Sequence, residues 1–327
     1  MKKNLLAVAV AAALVAAPAI ATAQTTLFGQ FKYEVGYIED VAGDNNLVHS
    51  TLGTRLGVRG TEDLGGGLRA VYRFQGNFAG RNVSLANQSY SMNEEAWVGL
   101  SGGFGRVLLG RRDTAVKLAS LPFRGFTDTL ADASTIPARW GRAEGVHYTS
   151  PSLNGVTVGV TVEPTGVKTD AYYALNAIYE AGPLFLSAAY EGQSDGPGAY
   201  TQRIADQDNW QLGASWNFGQ GDVGLLYQNL DGDVDVFTLP VNYKVTPNVN
   251  LRAAAQYTDN DLVDDSWTNF AIGAQYMFSN RTELFVNVWV DDVVGATLNP
   301  RNNAGGGGAG NTSDDSTHFG VGLRHSF

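Results

Sequence analysis

A pattern with a period of two recurs along this chain, and its last copy ends on the final residue. Phe319, Val321, Leu323 and Phe327 fall on one face of that segment, whereas Arg324 falls on the other. Such alternation indicates a strand whose two faces meet different surroundings, because successive side chains point to opposite sides. A soluble sandwich seldom places its final strand flush with the carboxyl end. The pattern therefore predicts a membrane barrel.

The beginning of the chain predicts export. A basic start is followed by an apolar run from Leu5 to Ala17 and by the small-residue cleavage motif Ala21-Thr22-Ala23. We expect residues 1–23 to be a cleaved signal peptide and residues 24–327 to form one barrel domain. The apolar run is shorter than the roughly 20 residues that a spanning helix needs. Any membrane embedding therefore has to use strands that close into a barrel.

The alternating segments predict an all-β fold, a transmembrane antiparallel β-barrel of 16 strands. The predicted strands are Leu27–Tyr37, Thr51–Gly60, Leu68–Gln75, Glu94–Leu100, Val107–Arg112, Val146–Ser150, Val156–Val162, Ala171–Tyr179, Leu184–Tyr190, Trp210–Phe218, Val223–Tyr227, Phe237–Val245, Val249–Tyr257, Phe270–Phe278, Leu284–Val290 and Ser316–Phe327. Short turns alternate with longer polar connectors, as in outer-membrane barrels. A soluble periplasmic propeller or sandwich would instead have turns of similar length on both sides.

Composition and motifs exclude several classes of function. The chain has no cysteine, so neither disulfides nor thiolate metal sites are available, and its net charge of −10 disfavours nucleic acid as a partner. Hydrolase and phosphate-loop motifs are absent from the sequence. The acidic run Asp231–Asp235 fails as a calcium loop because Val236 occupies the position that needs glycine. We expect no cofactor, no metal and no catalytic residue, although weak divalent binding by acidic loops stays open.

One connector, from Asp113 to about Arg142, runs for some thirty residues without strand alternation. Long loops without regular structure are uncommon in compact proteins unless they act as lids, plugs or binding elements. This loop mixes Leu130 and other apolar side chains with charged ones such as Lys117 and Arg124. It would expose those apolar groups if it stood free in solvent. We therefore expect it to fold into the barrel lumen and to carry the function.

The order and spacing of several motifs resemble the Gram-negative general porins. The segments that carry the resemblance are Leu27–Tyr37, Arg55–Gly65, Val98–Gly105, Leu109–Ala119, Pro122-Phe123, Asp128–Asp132, Tyr148–Pro151 with Gly155, and the terminal Phe327. They span nearly the whole mature chain. Many relatives have an acidic residue and paired glycines beside the Pro-Phe pair, whereas this chain has Arg124-Gly125. This difference puts in doubt any selectivity transferred from more acidic relatives.

The resemblance implies a sixteen-stranded homotrimer in the outer membrane of a Gram-negative bacterium. It also implies passive diffusion of small hydrophilic solutes and ions through a pore that the connector, loop three of the family, narrows. Phe327 would be the signal for the outer-membrane assembly machinery and would lie among outer-membrane lipids. The substrate-selective channel of the same fold remains an alternative, with Phe123, Phe126 and Trp140 as a greasy track. An outer-membrane hydrolase is the remote alternative, and we expect no enzyme.

The polar faces of the strands predict a pore constriction with a basic and an acidic side. The basic side is expected to contain Arg55, Arg59, Arg111, Arg112, Arg139 and Arg142, and loop three to contribute Asp113, Lys117, Arg124, Asp128 and Asp132. Opposite charges across a narrow, low-dielectric channel would create a transverse field. The alternative is that the arginines pair with wall glutamates and that the aspartates only hold loop three in place. Ion selectivity is not fixed by the sequence, which leans slightly to anions.

Overall fold

The computed structural model describes residues 24–39, 45–78, 91–132, 141–164, 171–193, 208–261, 264–291 and 316–327. The expected signal peptide lies outside these residues. All β-strands in the described segments belong to one sheet, in which each strand pairs antiparallel with its neighbours and β17 pairs with β1. The sheet is therefore a closed barrel, and the predicted all-β antiparallel fold is confirmed.

The strands agree with the alternating segments of the sequence in number and position, apart from one division. They are β1 Gln24–Glu39, β2 Asn45–Ser50, β3 Arg55–Gly65, β4 Leu68–Asn77, β5 Ser91–Gly102, β6 Gly105–Asp113, β7 Arg142–Thr149, β8 Val156–Pro164, β9 Ala171–Ala181, β10 Leu184–Gln193, β11 Asn209–Asn217, β12 Gly221–Leu230, β13 Val234–Thr246, β14 Val249–Asn260, β15 Asp265–Ser279, β16 Thr282–Asp291 and β17 Ser316–Ser326. Strands β2 and β3 follow one another along the same edge of β1. Together they complete a barrel of 16 strand positions.

The division between β2 and β3 corrects the predicted strand Thr51–Gly60. Residues 51–54 leave the ladder, and Gly53 has φ = 82°, a conformation that favours glycine. A Cβ at Gly53 would lie 2.5 Å from the Cβ of Asp128, which belongs to loop three. The strand is therefore interrupted at the place where loop three meets the wall.

The two faces of the sheet differ as the alternation predicts. In β1, Phe31 and Tyr33 are exposed on the outside, whereas Lys32 and Glu34 are fully buried on the inside. The same contrast separates the apolar and polar positions of the other strands, with exceptions such as Phe285 and Trp289, which are buried on the inner face of β16. The outer face is suited to lipid and the inner face to polar contacts.

The closing seam joins the two ends of the chain. Phe327 donates its backbone N–H to Gly29 O at 3.0 Å and accepts from Gly29 N at 3.1 Å. A Cβ at Gly29 would lie 2.7 Å from the ring of Phe327, so the glycine leaves the space that this ring covers. The terminal phenylalanine thus continues the ladder between β17 and β1 at the end of the barrel that carries the termini.

The connectors between strands are short at the end that carries the termini. For example, two residues separate β3 from β4 and two separate β9 from β10. At the opposite end β12 and β13 are also joined tightly, by Asp231–Asp233, so long connectors are not the rule there. Within the segments given above, no helix has the length and apolar character needed to cross a membrane.

Candidate functional site

Loop three begins with a short helix, α1 at Ala115–Ser120, which a 3-10 turn extends. Thr114 caps α1, since its hydroxyl accepts from the backbone N–H of Lys117 at 3.2 Å. Inner side chains of β8 to β11 bond the helix backbone: Ala115 N donates to Thr161 Oγ1 (3.1 Å), Asn176 Nδ2 to Ala115 O (2.7 Å), Ser187 Oγ to Ala119 O (3.0 Å) and Gln211 Nε2 to Val116 O (3.0 Å). The helix is thus tied to the inner faces of four consecutive strands.

Two phenylalanines continue the contact with the wall, and each packs where a strand has a glycine. A Cβ at Gly213 of β11 would lie 2.5 Å from the ring of Phe123, and one at Gly273 of β15 would lie 3.0 Å from the ring of Phe126. Both rings are fully buried. The close approach of loop three therefore depends on the absence of side chains at these wall positions.

Asp128 adopts a left-handed conformation, with φ = 62°, which is uncommon for a residue other than glycine. Lys32 Nζ donates to its carbonyl, Arg55 Nη2 donates to its carboxylate, and Asp132 Oδ2 accepts from its N–H at 2.8 Å. Burial would raise the pKa of the Asp128 carboxyl, but Arg55, Arg124 and Lys32 outweigh it and hold this pKa below its ordinary value. Asp128 is therefore a charged and paired carboxylate.

Beyond Asp128, loop three meets β1. Leu130 donates its N–H to Glu34 Oε2 at 2.9 Å, and its side chain joins an apolar cluster that includes Ile38, Phe126 and Trp289. Residues 114–132 thus contact the inner faces of strands from β8 to β16 and of β1. We call this inner surface the docking wall.

The base of loop three is an ion-pair network. Lys117 Nζ lies 2.7 Å from Asp113 Oδ1, and Arg142 Nε lies 3.0 Å from the same oxygen. Arg142 also reaches Glu94 Oε2 at 2.6 Å. Burial lowers the pKa of the Lys117 ammonium to about 8, although Asp113 acts in the opposite direction. These contacts join the first turn of loop three to β5, β6 and β7.

Each carboxylate that the sequence assigned to loop three has a cationic partner. Asp113 pairs with Lys117 and Arg142, Asp128 pairs with Arg55, and Asp132 lies 3.3 Å from Arg124. Only the Asp128 pair joins loop three to an arginine of β3. The predicted acidic side of a transverse field is therefore largely neutralised by local pairing.

Inner-facing arginines recur on β3, β4 and β6, and we call the surface around Arg55, Arg59, Arg73 and Arg112 the arginine wall. Arg59 of β3 lies directly across from Arg73 of β4, and both guanidinium groups stack on Phe28, with 5.0 and 4.8 Å to its ring centroid. Arg73 pairs with Glu95 at 2.8 Å. Arg59 is exposed, and no carboxylate of the described segments forms an ion pair with it or with Arg112. The arginine wall thus retains unbalanced positive charge.

The two consecutive arginines of β6 lie on opposite faces, which corrects one prediction. Arg112 pairs in register with Ala143, which is fully buried on the inside. Arg111 shares the outer face with Leu109, and its guanidinium lies 3.6 Å from Glu144, as the alternative of wall pairing expected. Arg111 therefore does not join the inner basic set. Arg139 lies outside the described residues.

The constriction predicted from the sequence omits several inner residues beside loop three, although alternation placed Lys32 and Arg252 on the lumen face. The omitted residues include Lys32, Glu34 and Arg252, and Phe285 lies against Lys32 and Arg252. Lys32, Glu34 and Arg252 occupy the polar positions of their strands, so alternation alone indicates their direction but not their role. Phe28 and Phe285 break the rule that aromatic residues face outward, and only their register with inner neighbours identifies them.

Comparison with known proteins places this architecture among channels. A family model described as Gram-negative porin matches residues 7–295. Outer membrane porin protein 32 of Delftia acidovorans is 30% identical, and major outer membrane protein P.IB of a Neisseria meningitidis serogroup A strain is 27% identical, with both chains fully covered in each case. The solved structure of an anion-selective porin from Comamonas acidovorans superposes with a TM-score of 0.72 at 26% identity and covers 94% of this chain and 100% of that chain.

Proposed function

The chain belongs to the Gram-negative porins, and from that premise we propose that loop three narrows its barrel and that anions pass more readily than cations. Family and fold make it an outer-membrane protein that forms a passive diffusion channel. The constriction, its residues and its ion preference are our proposals. They rest on the contacts of the docking wall and on the charges of the arginine wall.

The unequal pairing of charges is the observation that carries the ion preference. The aspartates of loop three are engaged by Lys117, Arg142, Arg55 and Arg124, whereas Arg59 of the arginine wall is exposed and has no carboxylate partner in the described segments. Charges that line a narrow channel with low-dielectric walls act on ions more strongly than the same charges in bulk water. The net potential of the constriction is therefore positive.

Burial of the loop-three aromatic side chains favours general diffusion over a substrate-selective track. Phe123 and Phe126 have no exposed surface, so they cannot offer an apolar surface to a passing solute. Trp140, the third aromatic of that alternative, lies outside the described residues. We infer that small hydrophilic solutes pass without a dedicated binding track.

An enzymatic role has little support, since family and fold imply a channel rather than an enzyme. The hydrolase alternative required a serine paired with a histidine near the membrane surface. His147 is buried, and its ring bonds the hydroxyl of Thr161 and the carbonyls of Gly110 and Ala143. We therefore propose that the protein has no catalytic activity.

The remaining parts of the proposal concern export and assembly. We infer that residues 1–23 are removed as a signal peptide, that residues 24–327 form the barrel domain, and that three copies assemble as in the general porins. Phe327, half-exposed on the outer face of the closing seam, would be read by the assembly machinery before the seam closes. In the finished barrel it would contact lipid.

Reconstitution into a planar bilayer tests the ion preference. Under a gradient of potassium chloride, we expect a reversal potential whose sign indicates chloride as the more permeant ion. Arg59→Gln should move that potential toward cation preference. A wild-type channel that prefers potassium would contradict the proposed selectivity, while its conductance would leave the porin function intact.

A further inference from the structure

We propose that Lys32, Glu34, Arg252 and Phe285 form a seat on the docking wall that positions residues 124–132 of loop three and so sets the size of the constriction. These are positioning residues, because they act on the pore through loop three. The inference rests on the proposed function, in which loop three narrows the barrel. It adds the wall residues that determine where the loop lies.

Arg252 of β14 is the centre of the seat. Its Nη1 donates to the carbonyl of Gly125 at 3.3 Å, and its Nη2 donates to Asn287 Oδ1 at 2.9 Å. The guanidinium lies 4.7 Å from the ring centroid of Phe126 in loop three and 6.0 Å from that of Phe285 in β16. Arg252 is only 8% exposed. One buried cation therefore contacts both the backbone and an aromatic ring of loop three.

Lys32 of β1 approaches loop three from the other side of Phe285. Its Nζ lies 5.4 Å from the centroid of that ring and 2.9 Å from Glu34 Oε2, and it donates to the carbonyl of Asp128. Lys32 and Glu34 are both fully buried. Phe285 thus lies between two cations, and each of them donates to a carbonyl of loop three.

Glu34 of β1 is the acidic member of the seat. Its Oε2 accepts from both Lys32 Nζ and the backbone N–H of Leu130, each at 2.9 Å, while its buried Oε1 has no hydrogen-bond partner among the described residues. One carboxylate oxygen therefore joins a cation of the wall to the backbone of loop three. Besides Asn287 Oδ1, the carbonyls of Gly125 and Asp128 and the ring of Phe126 contact the two cations.

The contacts of Lys32 and Arg252 explain why the seat would position loop three as well as stabilise the barrel. Buried cations need hydrogen-bond acceptors or aromatic faces when water is excluded. Loop three provides these groups only in its docked position, so docking and dehydration of Lys32 and Arg252 are coupled. The loop contacts are spread over Gly125, Phe126, Asp128 and Leu130, so the segment is held at four points along its length.

The test compares matched arginine substitutions on the inner wall. Arg252→Gln removes the cation of the seat, whereas Arg324→Gln removes an inner arginine that pairs with Glu283 of β16 at 2.7 Å. Phe126→Leu attacks the same seat from loop three and leaves the wall unchanged. Single-channel conductance and open-channel current noise are recorded for each variant, after electrophoresis has shown that the barrel is folded.

A disulfide provides the rescue. The chain has no cysteine, and a Cβ at Gly125 would lie 3.5 Å from the Cβ of Ala254, within the range of Cβ separations that disulfides span. Gly125→Cys with Ala254→Cys should therefore fasten loop three to β14 without the seat. Combined with Arg252→Gln, it should restore the wild-type noise when oxidised and lose that effect when reduced.

We expect Arg252→Gln and Phe126→Leu to raise the undocked fraction of loop three about tenfold, seen as higher noise and conductance, while Arg324→Gln keeps the wild-type noise. In one contrary outcome, deletion of residues 120–131 raises the conductance while both seat variants keep the wild-type noise and conductance. That result would overturn the seat but keep the constriction. No rise after that deletion would overturn the constriction and the seat together.

Discussion

The docking wall and the arginine wall face one lumen, yet they use charge in opposite ways. On the docking wall, Lys32 and Arg252 are buried in contact with carboxylate, carbonyl and aromatic groups. On the arginine wall, Arg59 is exposed and stacks on Phe28 without an ion-pair partner in the described segments. We therefore propose that the same residue types hold a loop on one side and act on passing ions on the other. What decides the role is whether loop three covers the side chain.

Removing loop three should have the largest effect on this contrast. Deletion of residues 120–131 removes the part of loop three that covers the docking wall. The open cross-section of the pore should then increase, and Lys32 and Arg252 should become accessible to water. We expect single-channel conductance to rise severalfold. A deletion variant that folds and conducts like the wild type would show that residues 114–132 do not limit the pore.

Charge reversal on the arginine wall should have the next largest effect. Arg59→Glu replaces an exposed cation by an anion. We expect chloride to lose about 1 kcal/mol of favourable interaction with the pore, so the permeability ratio of chloride to potassium should fall roughly fivefold. Reversal potentials in a salt gradient measure that ratio. Arg324→Glu, in β17, is the control with the same change of charge, and a fall of the same size there would show that position on the arginine wall is irrelevant.

Asp128→Asn should act in the opposite direction and more weakly. It removes the carboxylate that neutralises Arg55, so anion preference should increase, even though the loop loses one of its contacts. The reversal potential reports the sign of the change. A shift toward cations would mean that Asp128 is not the partner that neutralises Arg55 in the open channel.

Titration of Lys117 should give the smallest effect. Because burial lowers the pKa of Lys117 to about 8, raising the pH from 7 to 9 removes one positive charge at the base of loop three. Anion preference should decline slightly over that interval, and Lys117→Met should abolish the decline. The pKa of Lys117 in the folded protein lies below its ordinary value of 10.5, so the free energy of unfolding should rise with pH from about 8 to 10.5.

The barrel was predictable because alternation is a local property of each strand. Strand positions from β4 to β17 follow from it directly, whereas the break between β2 and β3 does not. That break depends on Gly53 and on the proximity of Asp128, some seventy-five residues later in the sequence. A contact of this kind leaves no periodic signal.

The arginines show the limit of the sequence at the site. Arg111 and Arg112 are adjacent, and a shift of one residue in register exchanges the faces of a strand, so the pattern could not decide between them. Pairing of Asp113, Asp128 and Asp132 with nearby cations was weighed as an alternative, but only three-dimensional contacts identify the partners. The inner position of Phe285 required knowledge of the register between β15 and β16.

Cysteine accessibility tests the difference between the two walls most directly, because the natural chain has no cysteine. A membrane-impermeant, negatively charged thiol reagent is applied to channels carrying either Arg59→Cys or Ala254→Cys while the current is recorded. We predict rapid modification and a drop in current for Arg59→Cys, and no reaction for Ala254→Cys beneath loop three. Equal reactivity at the two positions would contradict the distinction between a wall that lines the pore and a wall that loop three covers.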